Sequence, residues 1–259
     1  MKRSIDVALV GLASVSVLGL VSVCQADSSA IQSSVADVKA SLGNHGVKEI
    51  VFATRQDGND GHWYANIGDW SYDKDNMLYG KGGRLCKLNV ETGELVTLID
   101  DPQGTIRDPV VHYDAEKILF SWRLGDSRVF HLYECDLQGA NIRQLTDGAY
   151  DDIEPCYLPD GGIVFVSGRG KRFVNCWLTQ VAILYRCDGD GKHITQLSAN
   201  IEHDNTPWVL PDGRIVYQRW EYIDRSQVHF HHLWTMNPDG TNQMVYFGNL
   251  HPGGLFIDA

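Results

Sequence analysis

An all-β fold assembled from repeated four-stranded antiparallel sheets is what this 259-residue sequence predicts. Three observations carry the prediction. A Pro step recurs as Arg107-Asp108-Pro109, Ile153-Glu154-Pro155 and Asn205-Thr206-Pro207, with the prolines 46 and 52 residues apart. Each step is followed by apolar, β-branched runs separated by glycine turns. Glycine is abundant, at 26 residues, while long helical periodicities are scarce. A period of roughly 49 residues with four strands per unit marks a β-propeller, whose sheets bury both faces only by stacking on their neighbours.

Taken in order, the chain opens on Lys2 and Arg3, an apolar run from Val7 to Val23 and small residues ending at Ala26. This is the pattern of a secretory signal peptide over 1–26, and it predicts a periplasmic or secreted protein. Cleavage there leaves 259 − 26 = 233 residues with no membrane span in the mature chain. Residues 27–48 are Ser-rich, with a weak helical pattern through Val35, Val38 and Leu42, and read as a linker or short helix. The propeller is expected over 49–259. Its first unit is degenerate: EIVFATR (49–55), RLCKLNV (84–90) and GELVTLI (93–99) supply a second, third and fourth strand. The segment 56–83 between them is rich in Gly, Asp, Trp and Tyr and is expected to be a loop insertion.

The next three units are more regular. Their second strands are ILFSWR (118–123), IVFVSGR (163–169) and IVYQRW (215–220). Their third strands are HLYECD (131–136), ILYRCD (183–188) and HLWTMN (232–237), and their fourth begin at IRQLT, ITQLS and QMVYF. The Pro-Asp-Gly turns between first and second strands combine a proline fixed near φ of about −65° with a glycine free to take positive φ. The tail HPGGLFIDA (251–259) has the look of one more Pro step and inner strand. It would either close a four-bladed ring beside EIVFATR or belong to a larger propeller.

Composition narrows the function. The hydrophobic fraction of 43% supports a packed core and excludes a disordered polymer. A net charge of −11 and a pI near 5.3 argue against a nucleic-acid partner, which would need a basic stripe. Of the six cysteines, Cys24 falls in the leader; Cys86, Cys135, Cys156, Cys176 and Cys187 are left, an odd number. They form no C-x-x-C and no C-x-x-C-H, so neither a zinc ribbon nor a covalent c-type haem is expected. Most read as small buried strand residues.

Three groups of residues could carry chemistry. The loops leading into the inner strands hold Arg107 and Asp108, then Asp151, Asp152 and Glu154, then Glu202, His203, Asp204 and Asn205. Converging on one end of a propeller, they would form an acidic ring with one His. Oxygen ligands of that kind suit a divalent cation such as Ca²⁺, and an added His or Cys shifts the preference toward a transition metal. The competing reading is that the Asx side chains cap their own turns. Second, His229 and His231 share a face of one strand, with Cys176 as a possible further ligand. Third, His62, Trp63, Tyr64, Trp70 and Tyr72, with Trp220 and Tyr222, could floor a ligand pocket or wedge between blades. No nucleophile elbow or phosphate loop is visible.

Several stretches resemble a known family, loops included. They are GHWYANIG (61–68), RLCKLNVETGEL (84–95), RDPVVHYDAEKILFSWR (107–123) and RQLTDGAYDDIEPCYLPDGGIVFVSGR (143–169). HLYECD (131–136), VNCWLTQVAILYRCD (174–188), EHDNTPWVLPDGRIVYQRWEYIDR (202–225) and HHLWTMNPDGTN (231–242) complete the set. Together they are similar to the middle domain of the hydrazine synthase alpha subunit family, and more distantly to TolB-type propeller repeats. The resemblance implies a longer, six-bladed propeller in exported bacterial proteins. The namesake enzyme uses c-type haems, for which this chain has no attachment motif, so the activity is not carried over. Two functions are therefore expected to compete. One is an exported scaffold that binds a ligand or a periplasmic protein without its own haem. The other is a metal-dependent or redox subunit that shapes the site of a haem partner.

Overall fold

The computed structural model describes residues 37–56, 79–176, 179–222 and 229–248, with the backbone of Gly254–Leu255. After a helix over 37–44, the described fold consists almost wholly of antiparallel sheet. The first sheet has three strands, β1 (Glu49–Thr54), β2 (Gly83–Asn89) and β3 (Leu95–Asp101). The second comprises β4 (Thr105–Val111), β5 (Lys117–Arg123), β6 (His131–Asp136) and β7 (Arg143–Gln144). The third comprises β8 (Asp152–Tyr157), β9 (Ile163–Ser167), β10 (Ile183–Cys187) and β11 (Thr195–Gln196). The fourth comprises β12 (Asp204–Val209), β13 (Ile215–Trp220), β14 (Phe230–Met236) and β15 (Met244–Phe247). The expected strand quartets and their turns are thus present in the second, third and fourth sheets. The tail segment β16 (Gly254–Leu255) runs parallel to Phe230–His231 of β14.

Consecutive sheets stack through their inner strands, β1 on β4, β4 on β8 and β8 on β12. Strand alternation supplies both interfaces of each sheet. In the second sheet, Ile118, Phe120 and Tyr133 pack back onto Val51, Leu85 and Ile99 of the first. Leu119 and Leu132 pack forward onto Ile163, Phe165 and Tyr185 of the third. Val164, Val166 and Leu184 of the third pack in turn onto Ile215 and Tyr217 of the fourth. Sheets covered on both faces need apolar residues at successive positions, hence the unbroken runs ILF and IVFV. Each large side chain so buried contributes about 1.5–3 kcal/mol.

The outer edges of the sheets meet through a repeated contact. Gly139, Gly191 and Gly240, in the turns before β7, β11 and β15, have φ of 75°, 84° and 84°. A Cβ on any of them would come under 3.0 Å from the carbonyl oxygen of Leu98, Leu145 or Leu197 in the preceding sheet. Only glycine satisfies both the positive φ and the close approach.

The Pro steps form β-bulges. Register breaks between Arg107 and Val110, between Ile153 and Cys156, and between Asn205 and Trp208. The residue before each proline, Asp108, Glu154 or Thr206, has φ of 54°, 51° or 51°. Proline cannot donate to the ladder, and the bulge removes it from the pairing. Cys86, Cys135, Cys156 and Cys187 are buried strand residues, Cys176 is exposed, and all five are free thiols. Burial pushes Cys135, Cys156 and Cys187 up to about 12, which leaves them unreactive. No helix among the described residues is long and apolar enough to cross a membrane.

Candidate functional site

The three bulges are joined in sequence by hydrogen bonds. Asp108 accepts a 2.6 Å hydrogen bond from Arg107 Nε and a 3.1 Å bond from the backbone N–H of Glu154 in the next sheet. Glu154 accepts from Arg107 Nη2 at 3.1 Å and from the backbone N–H of Thr206, one sheet further, at 2.6 Å. Each bulge carboxylate therefore satisfies the amide that the next bulge has taken out of its ladder. The Arg107 guanidinium, 4% exposed, lies between the two carboxylates. Burial works against its charge, but Asp108, followed by Tyr79 and Glu154, outweighs that and holds it protonated.

A second layer of ion pairs lies beside this relay. Asp152, fully buried, is held by Arg169 Nη2 at 2.7 Å and by the Ser167 hydroxyl at 2.7 Å. Asp204, also fully buried, is held by Arg219 Nε and Nη2 at 2.8 and 2.9 Å. Asp151 and His203 occupy matching places. Asp151 Oδ1 accepts from the Phe130 N–H at 2.9 Å, and His203 Nδ1 accepts from the Ala182 N–H at 3.1 Å. Both cap the chain as it enters a third strand.

Glu202 is different. Its side chain is fully buried and, among the described residues, neither carboxyl oxygen has a hydrogen-bond partner of good geometry. Desolvation pushes its pKa up to about 7, and the nearby Asn175 N–H and Arg172 guanidinium offset that only in part. Around it stand residues of two elements. Cys176 interacts with the Tyr222 hydroxyl and, with Glu202, raises that phenol above its ordinary value. Tyr222 stacks on Trp220 at 5.6 Å and 11°, and Trp220 stacks on His231 at 5.2 Å and 16°. His203 tilts against the same indole at 5.7 Å. Gln218 Nε2 lies 2.8 Å from His231 Nδ1 and fixes that ring. The corner thus combines an acid poised to titrate near neutrality, an exposed thiol, a phenol and an aromatic stack. That set can accept a hydrogen-bond donor or a positive charge.

The residues expected as metal ligands are therefore distributed over separate tasks. Asp108 and Glu154 share Arg107, while Asp152 and Asp204 each hold their own arginine. His203 and His231 meet across Trp220, and His229 is exposed. Among the described residues, no group of three or more His, Cys, Asp or Glu is placed to hold a metal ion. The aromatic residues His62, Trp63, Tyr64, Trp70 and Tyr72 lie outside the described residues. Sequence reasoning missed Thr206 as the end of the relay and Arg172 beside Glu202. A signal for the Glu202 corner was present. Aligning the Pro steps sets Glu202 against Gly104 and Tyr150 of the two preceding units, an acid where the repeat otherwise carries none.

No family profile matches the chain. By sequence, hydrazine synthase subunit alpha of Kuenenia stuttgartiensis is 22% identical, over 53% of this chain and 23% of that protein. The solved Kuenenia stuttgartiensis hydrazine synthase superposes with a TM-score of 0.64 at 19% identity, covering 80% of this chain and 32% of that one. A puromycin-hydrolysing peptidase of Mycobacterium tuberculosis shares the fold at a TM-score of 0.50 and 12% identity, over 77% of this chain and 27% of that one. TolB of Acinetobacter baumannii gives 0.46 at 13% identity, over 77% and 52%, a likeness too slight to carry weight. This chain thus spans about a quarter to a third of the hydrazine synthase chains it matches. By sequence and by fold together, it is similar to the alpha subunit of hydrazine synthase.

Proposed function

We propose that this chain is an exported β-propeller scaffold that binds a polar ligand at the Glu202 corner and works beside a protein partner. The observation that carries the ligand reading is the buried Glu202 carboxyl, neither of whose oxygens has a well-formed hydrogen bond among the described residues. Buried polar groups in folded proteins are almost always hydrogen-bonded, which supports a donor reaching this carboxyl from outside the chain. The radial reading is supported by the stacking of β1, β4, β8 and β12 and by the 0.64 likeness to hydrazine synthase. The partner is supported by the relative's name, which makes it one subunit of hydrazine synthase. Export is supported by Lys2, Arg3 and the apolar run to Val23. The engagement of Asp108, Asp152, Glu154 and Asp204 with arginines favours a structural role for the acidic ring over a divalent-cation site.

The test is a thermal-shift and calorimetric screen of small amide, alcohol and amine probes against the wild type and Glu202→Leu. Leucine removes an acid without partners and folds at least as well. Binding by the wild type and loss of binding in E202L is the expected result. No binding by the wild type, or equal binding by the variant, would refute the corner as the ligand site.

A further inference from the structure

We infer that Cys176 is a redox modification site, at which a hydroperoxide oxidises the thiol to a sulfenic acid held by Glu202 and Tyr222. The inference rests on the Glu202 corner as a built site, the same corner as the ligand reading, but not on that corner taking a free ligand. It begins from selectivity. Of the five described thiols, Cys86, Cys135, Cys156 and Cys187 are buried strand residues, and Cys176 is exposed. Attack on a peroxide needs an accessible sulfur, so among these five the fold favours one.

Three segments are welded together around it. Between β9 and β10 the chain forms a small hairpin. Val181 N–H donates to Arg172 O at 2.8 Å, Phe173 bridges Gln180, and Val174 N–H donates to Thr179 O at 3.0 Å. Cys176 follows two residues after Val174. Arg172 Nη2 ties this hairpin to Asn200 O at 2.6 Å, ahead of β12. Asn200 Nδ2 donates in turn to Trp220 O at 2.8 Å, at the end of β13. These bonds hold the hairpin, the turn carrying Glu202 and the Trp220–Tyr222 stack in one arrangement.

Two polar groups of that arrangement meet the cysteine. The Tyr222 hydroxyl is hydrogen-bonded to Cys176. The Glu202 carboxyl lies against the N–H of Asn175, the preceding residue, and acts on the same phenol. Glu202 is fully buried, without a well-formed hydrogen bond among the described residues. A thiol is a weak donor. A sulfenic acid offers an O–H to the Glu202 carboxylate and an oxygen that accepts from the Tyr222 hydroxyl, so the oxidised cysteine suits both neighbours. The step balances. Sulfur attacks one peroxide oxygen, the S–O bond forms and the O–O bond breaks. Sulfur loses two electrons and the peroxide gains them. The thiol proton passes to the departing oxygen, which leaves as water or an alcohol, and Glu202 is the titratable group placed to relay it.

The test treats the full chain with hydrogen peroxide, traps sulfenic acid with dimedone and maps the adducts by peptide mass spectrometry. One adduct is expected in the folded protein, at Cys176, with Cys135, Cys156 and Cys187 labelled only after unfolding. Formation should be at least about tenfold slower in Glu202→Gln, with circular dichroism native. Tyr222→Phe, which keeps a ring for the stack on Trp220, should shorten the lifetime of the sulfenic acid. No adduct at Cys176, equal labelling of the buried cysteines in the folded protein, or unchanged formation and lifetime in both variants would overturn the inference. Selective oxidation without binding of the amide, alcohol and amine probes would sink the ligand reading alone, and probe binding without oxidation would sink this inference alone.

Discussion

Glu154, partly buried, and Glu202, fully buried, are carboxylates on neighbouring sheets, and the fold treats them in opposite ways. Glu154 is fully engaged, with a guanidinium on one oxygen and a backbone N–H on the other. Glu202 has no well-formed hydrogen bond on either oxygen among the described residues, and burial pushes it up to about 7. The contrast teaches how to separate architecture from site in a repeat protein. A charge that recurs with the Pro step and satisfies its neighbour's bulge belongs to the scaffold. A charge that appears in one unit only, and is left unsatisfied, is available to something outside the chain.

Removing the engaged carboxylate should hurt most. Glu154→Ala strips Arg107 of one of its two counter-charges and leaves the Thr206 N–H without an acceptor. Chemical denaturation should show a loss of about 3–5 kcal/mol. Glu154→Gln sharpens the same point. It keeps an acceptor for Thr206 and leaves Arg107 with Asp108, so the loss should shrink to about 1–2 kcal/mol. The smallest effect belongs to the other carboxylate under acid conditions. Glu202→Gln measured below the ordinary glutamate pKa exchanges one neutral group for another of like shape, and stability should stay within about 0.5 kcal/mol.

Much of the architecture was legible in the chain because it is periodic. The Pro-Asp-Gly turns around Gly161 and Gly213 and the runs ILFSWR, IVFVSGR and IVYQRW located strands that lie where they were expected. Function was less legible, for a physical reason. The sequence shows that Asp152 and Asp204 are acidic and near one another in successive units. It does not show that Arg169, from the turn just after β9, and Arg219, from β13, arrive to engage them. Ion pairing is a property of register, set by residues some fifteen positions apart. The same holds for Glu202, whose burial raises its pKa while the Asn175 N–H and Arg172, from the loop ahead of the third strand, offset that in part. The Tyr222–Trp220–His231 stack was half visible, since Trp220 and Tyr222 lie two residues apart, but the third ring comes from the neighbouring strand β14.

The availability of Glu202 is the claim on which the functional reading turns, and its titration tests it directly. Its folded pKa of about 7 lies above the ordinary 4.5, so the native state holds the proton more tightly than the unfolded chain. Stability from this group is intact below 4.5 and is lost as pH rises toward 7, by on the order of 3 kcal/mol in all. The decisive measurement is the unfolding free energy of the wild type minus that of Glu202→Gln, from pH 4 to pH 8.5. The difference should be near zero at the acid end and grow increasingly negative between about pH 5 and 7 before levelling off. A difference that stays flat across that range, or one that turns positive with rising pH, would show that Glu202 is already satisfied within the fold.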